Sequence, residues 1–278
     1  MNTNSVRPTP NNGAAANTAS VTLVTPDMAR EMLKLNTQNR KLRQRAVADY
    51  ARDMADGNWL MNGEAIKFAI DGTLLDGQHR LHAVIEADTA VLMLIVTGLA
   101  PITQETMDAG RRRTTGDALS LRGETNSVVL ASILRRVWMW DQGDYKFAQH
   151  RQPTIAECTV LLAERPEIRR SAEIAGRVHS LFRYLPQSVV GTTHHLFSRI
   201  DAGQTVWFFT RVGDGAELPV GHPILTLRTR AMTERADRRH VPDFRYMAYL
   251  IRTWNAVRDG RELGRIVQAA DAPMPMPK

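Results

Sequence analysis

The apolar positions in the first hundred residues change repeatedly between the spacing of a helix and that of a strand. Residues 42–56 carry apolar side chains three to four positions apart, which gives one apolar stripe along a helix. Short runs of β-forming residues come next, and Asp71-Gly72 between two of them is typical of a hairpin turn. We therefore predict a helix, two strands, a helix and another strand, at residues 42–56, 65–70, 73–75, 80–87 and 91–96.

Helical spacing also precedes this region and dominates the rest of the chain. Thr25 can cap a first helix, with Pro26 at its first position. Beyond about residue 101 most apolar positions have helical spacing, and Thr154 with Glu157 forms the pattern of a capping box before another helix. The remaining predicted helices cover residues 126–140, 167–182, 186–199, 204–212, 223–237 and 242–258.

This order of elements predicts an α+β protein with two domains. A small N-terminal domain is expected over residues 20–120 and an all-helical C-terminal domain over 121–266, with a boundary within 114–126. Residues 1–19 are rich in Asn, Thr, Pro and Ala, and residues 267–278 are interrupted by prolines. Both tails are therefore predicted to be disordered.

Composition narrows the classes of protein that fit. The 278 residues are 43% hydrophobic, which suffices for a core, and the net charge of +7 favours polyanionic partners. The single cysteine, Cys158, excludes a disulfide within the chain and fits a reducing compartment. The N-terminus lacks the apolar core of a signal peptide, and no apolar run reaches the roughly 20 residues of a membrane span. We therefore expect a cytoplasmic protein that binds no membrane.

The segment LLDGQHRLHA, residues 74–83, places polar chemistry at a strand-to-helix junction. A helix N-terminus has unpaired amides and a partial positive charge, and Gly77 just before it lets an anion approach the backbone. Arg80 offers a planar charged fork suited to phosphate oxygens. His79 can donate, accept or titrate, and Gln78 can bond a base, a sugar or a substrate group. These residues predict a phosphate or nucleotide site.

Several roles remain open for Asp76 in the same turn. It can cap the helix, orient His79 or Arg80, or help to hold a metal ion on the phosphates, and capping is the commonest of these roles. His82 lies one helical turn after His79. Since a pair of histidines without a carboxylate ligand is rarely a metal site, we predict no metal bound by the protein alone.

The stretch GTLLDGQHRLHAV resembles the DGQHR signature of the ParB/sulfiredoxin superfamily. In ParB proteins the equivalent turn binds the phosphates of CTP, and in sulfiredoxins it binds ATP. The resemblance covers about residues 22–120. It implies a ParB/sulfiredoxin-like domain with a mixed sheet, in which Gly77, His79 and Arg80 take the positions that grip phosphate.

The chain also departs from the proteins that it resembles. Gln78 stands where sulfiredoxins have a cysteine, so reduction of a sulfinic acid is not expected. The dedicated helix-turn-helix and dimerising tail of ParB proteins are not evident, which puts centromere clamping in doubt. The order of elements is closer to phage and actinobacterial ParB-like proteins that carry the DGQHR signature.

Further polar residues flank the predicted domain. Arg111, Arg112 and Arg113 lie in a loop before a candidate cap residue, Thr115, and either complete a phosphate pocket, contact DNA or form a solvated charge run. We assign Arg111 and Arg112 to the nucleotide and Arg113 to nucleic acid, with Asp108 as a candidate to orient an arginine or bind Mg²⁺.

Residues upstream of the signature also carry candidate chemistry. Glu64 precedes a predicted strand and is either a general base or an exposed strand end. Asn39 and Arg40 resemble the polar pair in the family's first segment, which implies that both face the same pocket.

Residues 222–265 contain ten arginines, no lysine and five acidic residues. This excess of positive charge makes the helix RTRAMTERADRRH a candidate DNA contact. A solvated face is the alternative, because Glu234 and Asp237 can pair with arginines on the same helix. The candidate DNA-binding residues here are Arg228, Arg235, Arg238 and Arg239.

Three functions remain open. The first is a ParB-like nucleotide-binding protein that takes CTP or ATP with Mg²⁺ and acts on or near DNA. Its expected origin is a phage or mobile element, and a homodimer is one of its possible states. The second is a metal-dependent nuclease, NTPase or phosphotransferase that uses Glu64 or Asp76 in the same pocket. The third is a non-catalytic DNA-binding protein whose DGQHR turn grips a DNA phosphate.

Overall fold

A computed structural model describes residues 17–37, 39, 41–107, 114–147, 151–237 and 241–278. Within these ranges the protein is α+β, with eleven α-helices and one four-stranded mixed sheet. The chain divides into two compact units, Met1–Arg111 and Arg112–Lys278.

The first unit contains all four described strands. Its elements are β1 (Thr18–Val24), α1 (Pro26–Lys34), α2 (Gln44–Ala55), β2 (Ala65–Ala69), β3 (Leu74–Asp76), α3 (Gln78–Ala87), β4 (Val91–Leu99) and a short 3₁₀ helix (Pro101–Thr106). As predicted, the Thr25 hydroxyl caps α1 by accepting from the Met28 amide, and Pro26 starts the helix. The predicted hairpin and the two helices that flank it in the sequence are also present, within a few residues of their expected bounds.

The sheet has the strand order β1-β4-β2-β3. β4 pairs antiparallel with β1 and parallel with β2, whereas β2 and β3 form the antiparallel hairpin. One face of the sheet packs on the helices, with Ile66, Phe68 and Met93 in a core that includes Leu81 and Val84 of α3. This packing places α3 against the inner face of the sheet.

β1 is a strand that the composition does not predict. It begins inside the stretch expected to be disordered, of which residues 1–16 lie outside the described ranges. Only Val24 at its end is buried, because β1 lies at the margin of the sheet and contributes little to the core. From Thr18 to Leu23 hydroxyl-bearing and apolar residues alternate, which is the period-2 pattern of a strand, although the composition of the N-terminal stretch around it indicates disorder.

The second unit is helical in its described residues. Its helices are α4 (Thr115–Leu121), α5 (Ser127–Asp141), α6 (Ile155–Glu164), α7 (Ile168–Leu181), α8 (Gln187–Ser198), α9 (Ala202–Asp214), α10 (Pro223–Ala236) and α11 (Asp243–Arg258). The core is aromatic at its centre, where Phe197 stacks on Trp254 with ring centroids 4.5 Å apart. Among the helices of the described ranges, none combines the length and apolar character of a membrane span.

Two helix starts test the predicted caps. Thr154 and Glu157 form the expected reciprocal capping box at α6. At α4 the cap is Thr114 and not Thr115, because the Thr114 hydroxyl accepts from the Asp117 amide while the Asp117 carboxylate accepts from the Thr114 amide. The pairing with an acidic residue three positions later decides which threonine caps the helix.

The C-terminal segment lies against α11, although its composition predicts disorder. Gln268 is buried and accepts hydrogen bonds from the Arg252 guanidinium. The Trp254 indole N–H donates to the carbonyl of Lys278, and Asn255 donates to that of Met276. Polar side chains of α11 thus satisfy the backbone of a segment that has no helix or strand of its own.

Candidate functional site

The DGQHR turn joins β3 to α3 through a glycine that has no room for a side chain. Gly77 has φ +105° and is the N-cap of α3. A Cβ at Gly77 would lie 2.5 Å from Ile66 Cδ1 and 3.2 Å from Ile66 Cα. The missing side chain therefore faces β2, so packing against the neighbouring strand requires glycine here, whether or not an anion approaches the turn.

Asp76 and Arg80 stabilise this turn through hydrogen bonds. Asp76 Oδ1 accepts from the Gly77 amide at 2.7 Å, and Oδ2 lies 3.3 Å from both Arg80 Nη2 and Lys67 Nζ. Arg80 Nη2 also donates to the carbonyl of Ala65 at 2.9 Å. Of the roles open to Asp76, the structure therefore shows orientation of Arg80, and the aspartate does not cap the amides of the first helical turn.

The guanidinium of Arg80 is positioned but largely enclosed. Its side chain is 11% exposed, and Nη1 is buried without a hydrogen-bond partner among the described residues. A buried, unpaired guanidinium N–H is costly, but Nη1 has no accessible surface here, so it can donate to an anion only if the groups that cover it move.

The next two residues of the signature connect the turn to the segment between α1 and α2, residues 35–43. Gln78 and His79 are both buried. Gln78 Oε1 accepts from Asn36 Nδ2 at 3.1 Å, and His79 Nε2 accepts from the Arg43 backbone N–H at 3.0 Å. The neutral His79 ring in this arrangement carries its proton on Nδ1. The two side chains thereby connect Asn36 and Arg43, from the described part of this segment, to the start of α3.

A chain of amides extends this connection. Asn39 Nδ2 donates to Asn36 Oδ1 at 2.8 Å and to the Leu74 carbonyl at 2.6 Å. Gln104 Nε2 donates to Asn39 Oδ1 at 3.2 Å and to the Leu75 carbonyl at 3.0 Å. Asn39 thus lies at the turn, as the resemblance implies. The sequence does not predict Asn36 and Gln104, because isolated amides after a helix and after a strand give no pattern that separates them from solvated ones.

The 35–43 segment also carries positive charge. Lys41 and Arg43 are exposed, one position either side of Leu42 and close in the chain to residues that contact the turn. Lys67 on β2 adds a third cation beside Asp76. Lys67 is ion-paired with Asp76, so the attraction for an anionic ligand comes from exposed cations such as Lys41 and Arg43.

The other residues predicted for this site differ in their placement. Glu64 is exposed in the loop before β2, next to Ala65, whose carbonyl contacts Arg80. No three His, Cys, Asp or Glu side chains in the described part of the chain are grouped to hold a metal ion. The remaining candidates lie outside the described residues: Arg40, Asp108, Arg111, Arg112 and Arg113.

The arginines of the second unit divide into internal and exposed ones. The Arg228 guanidinium lies 4.2 Å from the Phe182 ring centroid and donates to the carbonyls of Val212 and Gly213 at the end of α9. Its burial lowers the Arg228 pKa. Arg235 is exposed on the last turn of α10, whereas Arg238 and Arg239 lie outside the described ranges.

The two acidic residues expected to pair with arginines here differ, because Glu234 is internal and Asp237 is exposed. Glu234 is buried and accepts from both Arg230 and the Tyr249 hydroxyl, which ties α10 to α11. The Glu234 carboxylate therefore stabilises the contact between the two helices. The neighbouring Arg235 is exposed, so its charge can interact with solvent or a partner.

Arg228→Ala is expected to destabilise the second unit by about 2 kcal/mol, because it removes a cation–π contact and leaves two carbonyls of a helix end without their donor. Arg235→Ala, on the same helix, should change stability by less than about 0.5 kcal/mol. Urea unfolding followed by tryptophan fluorescence measures both, since four of the five tryptophans belong to this unit. Equal stability of the two variants would contradict the internal role of Arg228.

Comparison of the chain with models of known protein families, with curated proteins and with solved structures finds no match. The assignment of this site therefore rests on the residues of the DGQHR turn and on their geometry.

Proposed function

We propose that the first unit is a ParB-like nucleotide-binding module that takes CTP or ATP together with Mg²⁺ and acts on or near DNA. The observation that supports this most is the β3–Gly77–α3 junction, whose first helical turn is hydrogen-bonded to Asn36 and to the Arg43 backbone. A helix N-terminus beside exposed cations is a suitable site for a polyphosphate.

In this proposal the residues in and near the turn have different roles in binding the nucleotide. The first turn of α3 contacts the phosphates, the exposed Lys41 and Arg43 add positive charge, and the buried Arg80 supports the turn from within. Asp76 holds the Arg80 guanidinium in place through Oδ2. Mg²⁺ arrives with the nucleotide, because polyphosphates carry it and the protein needs to supply few ligands of its own.

Binding is favoured over catalysis at this turn. Both Asp76 oxygens are engaged, one by the Gly77 amide and the other by Lys67 and Arg80. A carboxylate whose two oxygens are both held within the turn is poorly placed to take a proton from a bound substrate. Glu64 is exposed and lies outside this network.

Isothermal titration with CTP, ATP and GTP, each with Mg²⁺, tests the proposal directly. We expect heat from CTP or ATP with a dissociation constant in the micromolar range, equivalent to a binding free energy of about −8 kcal/mol. A folded protein that gives no heat with any of the three nucleotides would contradict the proposal.

Titration with duplex DNA, with and without nucleotide, tests the proposed action on DNA. DNA binding that weakens steeply with salt, and that no nucleotide alters, would favour the non-catalytic DNA-binding alternative.

Lys41→Ala and Arg43→Ala should each weaken nucleotide binding about tenfold, because each removes one charge-assisted contact worth about 1.5 kcal/mol. Both side chains are exposed, so the fold should tolerate the changes. Lys34→Ala is the matched control, since Lys34 is an exposed lysine on α1 that pairs with Glu31. Retention of full affinity in both loop variants would show that the 35–43 segment does not contact the ligand.

A further inference from the structure

β1 offers a surface that goes beyond the nucleotide site. It lies at the end of the strand order, so among the described strands it pairs on one side only, with β4. Along its other side a row of backbone N–H and C=O groups faces outward, and Thr18, Ala19, Ser20, Val21 and Leu23 are all exposed.

The strand carries none of the features that keep exposed edges apart. Its sequence, TASVTLV, contains no charged residue and no proline, and its pairing with β4 runs without a bulge over seven residues. Natural edge strands usually carry lysine, proline or a bulge to prevent pairing with other chains. An edge of this length without them is suited to adding another strand.

The face of the sheet next to this edge is apolar and exposed. Val21 is 53% exposed, Leu23 54% and Leu92 51%. Leu23 lies opposite Leu92 in the pairing register and Val21 opposite Leu94, so the four side chains form one patch across two strands. A strand added at β1 would extend this patch.

We propose that β1 pairs antiparallel with β1 of a second copy of this chain, about a two-fold axis through Val21. This register uses all seven residues and places Val21 opposite its own counterpart, Ala19 opposite Leu23, and Ser20 opposite Thr22. Small residues then meet large ones on the apolar face, and hydroxyls meet hydroxyls on the other face, which are favourable cross-strand pairs. The uncharged edge introduces no like-charge repulsion between identical copies.

The resulting dimer has a continuous eight-stranded sheet with a doubled apolar face. The interface is isologous, as expected for a two-fold homodimer. It does not require a nucleotide, so its presence or absence is independent of the proposed function of the DGQHR turn.

Sedimentation equilibrium of the full chain, with two opposite charges introduced at Val21, tests this arrangement. We expect the wild-type chain to dimerise at about 10–100 µM. In Val21→Lys and in Val21→Glu like charges oppose each other across the axis, so each variant alone should dimerise at least tenfold more weakly. A mixture of the two should recover the dimer. Leu60→Lys is the control, because Leu60 is 76% exposed in the same unit and belongs to none of the four strands, and it should dimerise like the wild type.

Three results would overturn the proposal: a wild-type chain that stays monomeric, a Val21→Lys variant that dimerises like the wild type, or two monomeric variants that do not associate when mixed.

Disulfide formation provides a second test of the same register. The native thiol of Cys158 is buried, so Val21→Cys adds one accessible thiol. It should cross-link with itself, because opposite residues in antiparallel strands bring their Cα atoms to about 4.5–5.5 Å, within disulfide range. Ser20→Cys, which faces Thr22 in this register, should not.

Discussion

Gly77→Ala is expected to destabilise the first unit by about 3–4 kcal/mol. An alanine at φ +105° is strained by about 1–2 kcal/mol, and its Cβ would lie 2.5 Å from Ile66 Cδ1. The Ile66 side chain can turn away, but Ile66 Cα, 3.2 Å from the same position, belongs to the backbone of β2. Relieving the clash therefore requires β2 and α3 to move apart, at a further cost of about 1–3 kcal/mol.

Gly72→Ala separates packing from backbone strain. Gly72 has φ +87°, close to the hairpin turn, and nothing lies within 4 Å of the position of its Cβ. Its replacement should therefore cost only the conformational term, about 1 kcal/mol. Hydrogen exchange of amides in β2 and α3 gives the free energy of opening for both variants. A similar cost for the two would contradict the packing role of Gly77.

Ile66→Val adds a double-mutant cycle to this comparison. The valine lacks Cδ1, the atom nearest to the added methyl group, so Gly77→Ala should cost less in the Ile66→Val background than in the wild type. The remaining cost then measures the contact with the β2 backbone together with the strain at φ +105°. Additive effects of the two substitutions would show that the alanine is accommodated elsewhere.

Much of the fold can be predicted from local pattern. The helices of the second unit have long apolar stripes, and Asp71-Gly72 marks the hairpin, so these elements form close to where periodicity places them. The same signals give the strand-to-helix position of the DGQHR turn. β1 escapes prediction because its alternating residues, Thr18 to Leu23, follow a polar stretch whose composition indicates disorder, and only Val24 at its end is buried.

The partners within the site could not be predicted, because they come from distant positions. Asn36 contacts Gln78 across 42 positions, and Gln104 contacts Asn39 across 65. Residue type alone is also misleading for Arg228. Its charge makes it a candidate DNA contact, whereas in the structure its guanidinium donates hydrogen bonds to carbonyls of α9. Charge is visible in a sequence, but the surrounding acceptors are not.

Acidification is expected to destabilise the second unit through two adjacent histidines on α8. His194 is 5% exposed, and its Nδ1 lies 2.9 Å from the Ser171 hydroxyl. His195 is fully buried, and neither of its ring nitrogens has a hydrogen-bond partner within the described part of the chain. The pKa of each ring is lowered from 6.5 to about 4, mainly by burial. The charges of Arg170 and His195 contribute to the lowering at His194, whereas at His195 Glu167 opposes it and Arg165 and Arg199 contribute to it.

The sign of the pH dependence is set by these pKa values. Between pH 6.5 and pH 4 the unfolded chain binds protons that the folded chain excludes, so unfolding is favoured as the pH falls through this window. The full stability is present above about pH 6.5. At about 1.4 kcal/mol for each tenfold difference in proton affinity, the loss at pH 4 is about 3 kcal/mol for one ring. The two losses do not simply add, because the rings are adjacent and their titrations are coupled.

His195→Leu should flatten this dependence by removing one of the two titrating rings. Since both nitrogens of His195 lack hydrogen-bond partners among the described residues, their removal should also leave the stability at pH 7 unchanged or higher. Urea unfolding by tryptophan fluorescence between pH 7 and pH 5 measures the slope before most carboxylates titrate. His82→Leu is the control, because His82 belongs to the first unit and its replacement leaves the side chains of the second unit in place. An unchanged slope in His195→Leu would show that this ring is not excluded from protonation in the folded protein.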